Sequence, residues 1–119
     1  MRKNLRDSDE FQHVYRNGKR YEGALITVFV IGNQGTHHRL GVTASKKGIG
    51  KAVQRNRAKR LLREAFRTNE DSLRELTGNY DWVLNAKARI LGEKLSGPSE
   101  EFKDVVAKVR KFEASALMK

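Results

Sequence analysis

The tightest constraint on this 119-residue chain is the run Arg55-Asn56-Arg57-Ala58-Lys59-Arg60-Leu61-Leu62-Arg63-Glu64-Ala65-Phe66-Arg67. Wound at about 100° per residue, it gathers Ala58, Leu61, Leu62, Ala65 and Phe66 into an arc of roughly 140°. A helix with such an underside must lie on another layer. Asn56, Arg60, Arg63 and Arg67 are then turned outward as a stripe, with Arg57 and Lys59 beside it and Arg55 near its boundary. Solvated helices usually interleave acids one turn from their cations. Here Glu64 stands alone, within reach of Arg60. From Lys46 to Arg67 there are nine Lys or Arg and one Glu, a net of +8, which leaves only +3 of the chain's +11 for all other residues. Crowding cations without partners costs stability through mutual repulsion, and a polyanion would supply the missing countercharge. Arginine suits phosphate because its planar fork binds two oxygens at once. Asn56 can both donate and accept, so it can reach a phosphate, a 2′-hydroxyl or a base edge.

The length predicts a single domain, 1–119, with residues 1–6 a flexible basic lead. The absence of cysteine excludes disulfides and thiolate metal sites. No apolar run approaches the ~20 residues of a membrane span. The basic N-terminus has no apolar stretch behind it, so it does not read as a secretory signal. These features predict a cytoplasmic protein with no membrane partner.

The rest of the chain reads as α+β. Asp7 can cap a helix over 7–16, with Glu10 in capping-box register and Phe11, Val14 and Tyr15 on one face. Asn17-Gly18 supplies its stop. A weak strand over 20–22 precedes a strong one over 24–31, rich in β-branched residues. In the latter Leu25, Thr27 and Phe29 point one way, and Ile26, Val28 and Val30 the other. After a turn at 32–35 comes a strand over 38–45, expected antiparallel to the preceding one because the connection is short. Residues 46–50 read as a basic, glycine-rich loop before the long helix of 51–67. A helical turn over 69–76, a strand over 80–87 and a loop over 91–97 follow. Pro98 fits the first turn of a last helix over 99–117, whose apolar stripe is Phe102, Val105, Val106, Val109 and Phe112.

Catalytic machinery is not legible. Gly48-Ile49-Gly50-Lys51 hints at a phosphate loop, but Ser45 stands where the Walker pattern needs glycine and Ala52 where it needs Ser or Thr. The segment still leads into a helix N-terminus, a good place for a backbone phosphate. His13, His37 and His38 lack the helical spacing of a metal site, and Asp7, Asp9 and Glu10 are explained by a helix cap. No carboxylate constellation suits two-metal phosphodiester cleavage.

Taken together, Gly41-Val-Thr-Ala-Ser-Lys-Lys47, Gly50-Lys51-Ala52-Val53 and Arg55-Asn56-Arg57-x-Lys59-Arg60-x-x-Arg63-Glu64-x-Phe66 resemble the bacterial ribonuclease P protein subunit. So do Asp9-Glu10-Phe11-x-x-Val14-Tyr15-x-x-Gly18 and the third main strand with Asp81. The resemblance runs from about Leu5 to Phe112. It implies an αβββαβα two-layer sandwich (ribosomal protein S5 domain 2-like), with a four-stranded sheet and a left-handed βαβ crossover; a generic argument would choose the right-handed form. It implies a subunit that joins a catalytic RNA to remove the 5′ leader of precursor tRNA by Mg²⁺-dependent hydrolysis. The RNA would carry the active site and hold most of the Mg²⁺, with no organic cofactor. Arg55, Asn56, Arg57, Lys59, Arg60 and Arg63 would contact the catalytic RNA, with Lys46 and Lys47 nearby and Lys51 and Arg67 extending that surface. A cleft between the first helix and the sheet would hold the single-stranded leader against Phe11, Tyr15 and Phe29, with Thr43 and Ser45 on the second strand. Aromatics suit unpaired bases because every base has a stacking face; as an isolated pair, Phe11 and Tyr15 would read as core.

Two other classes fit a basic α+β chain. One is a structural RNA-binding protein such as a ribosomal protein. The other is a DNA-binding regulator, disfavoured because the basic helix is flanked by strands and lacks a helix-turn-helix partner.

Overall fold

A computed structural model describes residues 3–117. Helix α1 (Ser8–Asn17) leads into strands β1 (Lys19–Glu22), β2 (Ile26–Gly32) and β3 (Arg39–Thr43). Helices α2 (Lys46–Ile49), α3 (Ala52–Thr68) and α4 (Glu70–Arg74) then carry the chain to β4 (Tyr80–Ala86), and α5 (Ser96–Leu117) closes it. The sheet order is β1-β2-β4-β3. Strand β4 is antiparallel to β2 and parallel to β3. The result is a four-stranded mixed sheet in an α+β body. No helix among the described residues is long and apolar enough to cross a membrane.

Strands β2 and β3 keep the expected antiparallel sense but do not pair with each other. Strand β4 lies between them and pairs with both. The reason lies in the residues. Strand β4 reads Tyr-Asp-Trp-Val-Leu-Asn-Ala and is buried from Asp81 to Leu84, as a strand covered on both faces must be. A central position satisfies that burial, and an edge would not.

Alternation sorts the sheet into two faces. Ile26, Val28 and Val30 of β2, with Trp82 and Leu84 of β4 and Leu40 of β3, join the main core with α3 and α5. There Ala58 and Leu62 are fully buried, and Leu61 and Phe66 pack at the margin. The apolar underside read from the sequence therefore meets the sheet as expected. Phe29, Ile31 and Val83 face the other way and meet Leu5, Phe11, Val14 and Tyr15. Helix α1 covers this second face in part, beneath which the cleft described below lies.

Several local expectations change. Residues 46–49 form a turn of helix rather than a loop, because the Ser45 hydroxyl caps it by accepting from the Gly48 N–H at 2.8 Å. Gly50 then reverses the chain at φ 103°, a conformation that favours glycine. Residues 88–92 wind into a 3₁₀ turn that buries Ile90. Gly18 ends α1 in an extended conformation, not the left-handed one common at helix ends. Its need is steric: a Cβ there would lie 2.5 Å from the Val14 carbonyl oxygen and 2.9 Å from that of Val30. Lys3–Leu5, read as part of a flexible lead, are pinned to the β3 edge. The Leu40 N–H donates to the Lys3 carbonyl and the Leu5 N–H to the Leu40 carbonyl, each at 2.9 Å, and Leu5 is buried. Residues 1–2 lie outside the described residues.

Helix α5 begins three residues earlier than expected, with Pro98 in its first turn. Its stripe runs through Phe102, Val105, Val106 and Val109, then turns to Glu113 instead of Phe112, which is 58% exposed. The carboxylate of Glu113 accepts from the N–H groups of Thr77 and Gly78, each at 2.9 Å, and from the Tyr80 hydroxyl at 2.5 Å. Burial pushes this carboxyl up, but those donors outweigh it and hold it below the usual carboxylate range. Burial, reinforced by the Glu113 contact, pushes the Tyr80 phenol up.

His38 is locked in one tautomer. Its Nδ1 accepts from both the Tyr80 N–H and the Trp82 indole N–H at 3.1 Å, while Nε2 faces the Leu73 carbonyl at 3.3 Å. Nδ1 cannot take a proton without losing two donors. Burial is the main force pushing the His38 pKa below its ordinary value. The neutral ring is thus favoured in the folded state, while the unfolded ring titrates near ~6.5. Stability from this source is full above that pH and falls as pH drops toward the folded value. Denaturant unfolding from pH 8 to 5 should show this decline, and His38→Asn should remove it while lowering stability throughout.

Candidate nucleic-acid interface

Helix α3 holds its cations outward because Ala58, Leu62 and Ala65 are buried beneath it. Asn56, Arg57, Arg60, Arg63 and Arg67 are exposed, as are Lys46, Lys47 and Lys51 before the helix; Arg55 and Lys59 are half-buried. Three arginines are engaged by the protein itself. Arg55 donates to the Gly50 carbonyl at 2.8 Å and Arg57 to the Leu91 carbonyl at 2.7 Å. Arg67, not Arg60, takes Glu64, at 2.6 Å across three residues. The hydrogen bond from Arg67, with Arg67 and Arg60 as nearby charges, holds the Glu64 carboxyl below its usual range. Spacings of three and four residues both bring side chains together on a helix, so the sequence did not distinguish the two arginines. Among the described residues the side chains of Arg60, Arg63, Lys46, Lys47, Lys51 and Lys59 make no hydrogen bond or ion pair, and neither does the Asn56 amide. The cationic stripe therefore carries no ion pair at Arg60 or Arg63, the nearby Glu64 being taken by Arg67. Arg63 also borders a groove with Asn4, Leu5, Arg6, Leu40, Gly41 and Val42, so the stripe reaches the β3 edge.

The aromatic residues meet on the other face of the sheet. Tyr15 and Phe29 pack edge to face at 4.9 Å between centroids. Phe11 lies over Gly41, where a Cβ would come within 2.6 Å of its ring. All three rings are half-buried, so each is both a wall of the second core and accessible. The Arg20 guanidinium sits 6.0 Å from the centre of the Phe29 ring. Thr43 joins this group through Asn85, whose Oδ1 accepts from the Thr43 hydroxyl at 2.5 Å and from the Tyr15 hydroxyl at 3.1 Å. Ser45 stands just beyond, with its hydroxyl accepting the α2 cap hydrogen bond.

Two elements were not read from the sequence. One is Asn85, whose signal was a polar residue within a strand, a position where asparagine is depleted. The other is Arg39, which ties the cleft together. It bonds Asp81 at 2.8 and 2.6 Å and Glu10 at 2.9 Å, with Asn33 adding a donor to Asp81 at 2.9 Å. Glu10 also accepts from the N–H groups of Arg6 and Asp7, at 3.0 and 3.1 Å. One guanidinium thus joins α1 to β3 and β4. The hydrogen bond to Asp81 is the main force raising its pKa. No motif spacing links residues 10, 39 and 81.

A small α+β body with an unneutralised cation stripe on one side and half-open aromatics on the other has the makeup of a ribonucleoprotein subunit. A family model described as Ribonuclease P matches residues 1–110. The chain belongs to the ribonuclease P protein family and is a component of that tRNA-processing endoribonuclease. It is 39% identical over 101 residues to the ribonuclease P protein component of Clostridium botulinum (strain Loch Maree / Type A3), covering 85% of this chain and 82% of the relative. That of Clostridioides difficile (strain 630) is 33% identical over 103 residues, covering 87% and 82%. The fold matches the RNase P protein from Thermotoga maritima with a TM-score of 0.76 at 24% identity, covering 90% of this chain and 97% of that one. The Staphylococcus aureus RNase P protein gives 0.75 at 24% identity, covering 95% and 99%. These likenesses support the ribonuclease P reading over the ribosomal-protein alternative.

Replacing Arg39 should uncouple α1 from the sheet, because Asp81 would be left as a buried carboxylate with no cation, its remaining side-chain donor being the neutral Asn33 amide. Arg39→Ala should cost about 3 kcal/mol in denaturant unfolding. Arg39→Lys should recover only part, since an ammonium cannot reproduce the forked contact.

Proposed function

We propose that the chain grips two RNA elements with opposite sides of its sheet. The α3 stripe docks on the catalytic RNA of ribonuclease P through Arg60, Arg63 and Asn56, flanked by Lys46, Lys47, Lys51, Lys59 and Arg67. Arg55 and Arg57 hold the helix start against the protein and add charge there. The cleft of Phe11, Tyr15, Phe29 and Thr43, with Ser45 at its end, takes the single-stranded 5′ leader of precursor tRNA. The observation that carries this reading is the pair Arg60 and Arg63, exposed and with no ion pair among the described residues. Phosphate contacts supply affinity and orientation, and the rings supply stacking, worth about 1–3 kcal/mol per base.

Hydrolysis itself belongs, on this reading, to the RNA. Among the described residues no group of three or more His, Cys, Asp or Glu could hold a metal ion. The inward carboxylates have other tasks: Glu10 and Asp81 bind Arg39, Glu113 binds Tyr80, and Glu101 accepts from the N–H groups of Leu25 and Ile26 at 3.0 Å. On this reading Mg²⁺ would be held mainly by RNA phosphates. The chain's part is to place the leader, which raises substrate affinity, and to offset phosphate repulsion, which lowers the Mg²⁺ needed. On this reading the chain acts in the cytoplasm, and the function proposed calls for no DNA or membrane partner.

Reconstitution with the catalytic RNA tests this directly: precursor-tRNA cleavage at low Mg²⁺ should depend on the protein. Arg60→Ala or Arg63→Ala should weaken RNA association by about 1 kcal/mol and reduce the salt slope by about one, with an unchanged thermal melt. Unchanged RNA affinity in both would remove the stripe from the interface. Tyr15→Ala should lower the preference for precursor over mature tRNA by roughly tenfold. Loss of folding alone would make Tyr15 a core residue instead.

A further inference from the structure

We propose that Asn85 is a specificity-determining residue of the cleft, donating from its amide nitrogen to the edge of an unpaired leader base held against Tyr15 and Phe29. The inference rests on the leader-binding reading above and adds to it a preference among bases.

Sheet register places the residue. Thr27, Asn85 and Thr43 form one row across β2, β4 and β3, and Phe29, Val83 and Gly41 form the next row on the same face. Rows two residues apart are separated by about 6.6–6.8 Å along a strand. A base lying on the Phe29 ring therefore presents its edge toward the Asn85 row. Arg20 stands over that ring and can meet the adjoining phosphate.

The orientation of the amide follows from its partners. The Thr43 oxygen approaches Asn85 at 2.5 Å. That separation belongs to an O–H···O bond and is too short for the about 2.7–3.2 Å of N–H···O. The atom facing Thr43 is therefore the carbonyl oxygen, which the Tyr15 hydroxyl also engages. Two hydroxyl donors saturate Oδ1 and turn Nδ2 away from them. Among the described residues Nδ2 bonds to no protein group, and the one buried side-chain polar atom without a partner is His37 Nε2. Nδ2 is thus an open donor with a fixed direction. The Tyr15 and Thr43 oxygens, having given their protons to Oδ1, keep lone pairs beside it. A donor next to acceptors matches the mixed acceptor–donor edge of a nucleobase, which stacking alone does not read. Because its acceptor is already satisfied, Asn85 cannot turn over to suit a different edge without breaking two hydrogen bonds.

The test uses holoenzyme reconstituted from the full chain and the catalytic RNA, with precursor tRNAs carrying each of the four nucleotides at each leader position. With the natural chain, affinities at one leader position should spread by roughly three- to tenfold. Asn85→Leu, which removes the amide, should shrink that spread to within about twofold, leaving affinity for mature tRNA as it was. Asn85→Asp keeps an acceptor for Tyr15 and Thr43 but replaces the donor, so it should lose the same preference, and it serves if the leucine variant does not fold. Retention of the full spread in folded Asn85→Leu or Asn85→Asp would overturn the proposal, as would a natural chain that favours precursor over mature tRNA yet treats all four nucleotides alike. Equal binding of precursor and mature tRNA by the natural holoenzyme would instead sink the leader-binding reading itself.

Discussion

Everything in this molecule depends on β4 entering the sheet between β2 and β3. That insertion makes β3 and β4 parallel neighbours, which no tight turn can join. The chain must leave the sheet, cross one face and return. The crossing segment is α3, so the most cationic element is also the connection on which the sheet order depends. Its apolar underside buries Ala58, Leu62 and Ala65, and that burial fixes which side chains remain in water.

The same insertion builds the opposite face. With β4 central, Asn85 stands between Thr27 and Thr43, and Val83 between Phe29 and Gly41. Glycine at 41 leaves room for the Phe11 ring. Arg39 then clamps α1 to the sheet by holding Glu10 and Asp81 at once. The cleft is therefore a product of non-local pairing, with rings supplied by α1 and β2 and polar groups by β3 and β4. The two sides meet at the β3 edge, where Arg63 of the stripe borders the same groove as Gly41. A change at this edge would be felt by both.

Charge and polarity are divided between the two sides. On α3 the protein leaves cations unpaired, a cost tolerable where a phosphate backbone can answer it. In the cleft the reverse holds: Arg39 is fully engaged and Asn85 has its acceptor satisfied twice. Such side chains are held in place before any ligand arrives, which limits the ordering lost on binding. Phosphate contact tolerates flexible lysine and arginine, whereas reading a base requires a donor of fixed direction.

What the sequence determined by itself was whatever has a short period. The outward stripe of α3, the capping box of α1, the alternation of β2 and the apolar run of α5 through Val109 all follow from neighbours within one or two turns or pleats. The family resemblance was legible for the same reason, since its motifs are contiguous. Tertiary structure alone decided what joins distant residues: β4 rather than β3 beside β2, Glu113 rather than Phe112 inside, Arg67 rather than Arg60 on Glu64, and Asn85 between Tyr15 and Thr43. Hydrophobic periodicity states which face is buried but not against what. Residues 15, 43 and 85 acquire a common purpose only when strand pairing sets their register, and that pairing is won by total burial, which no local window contains.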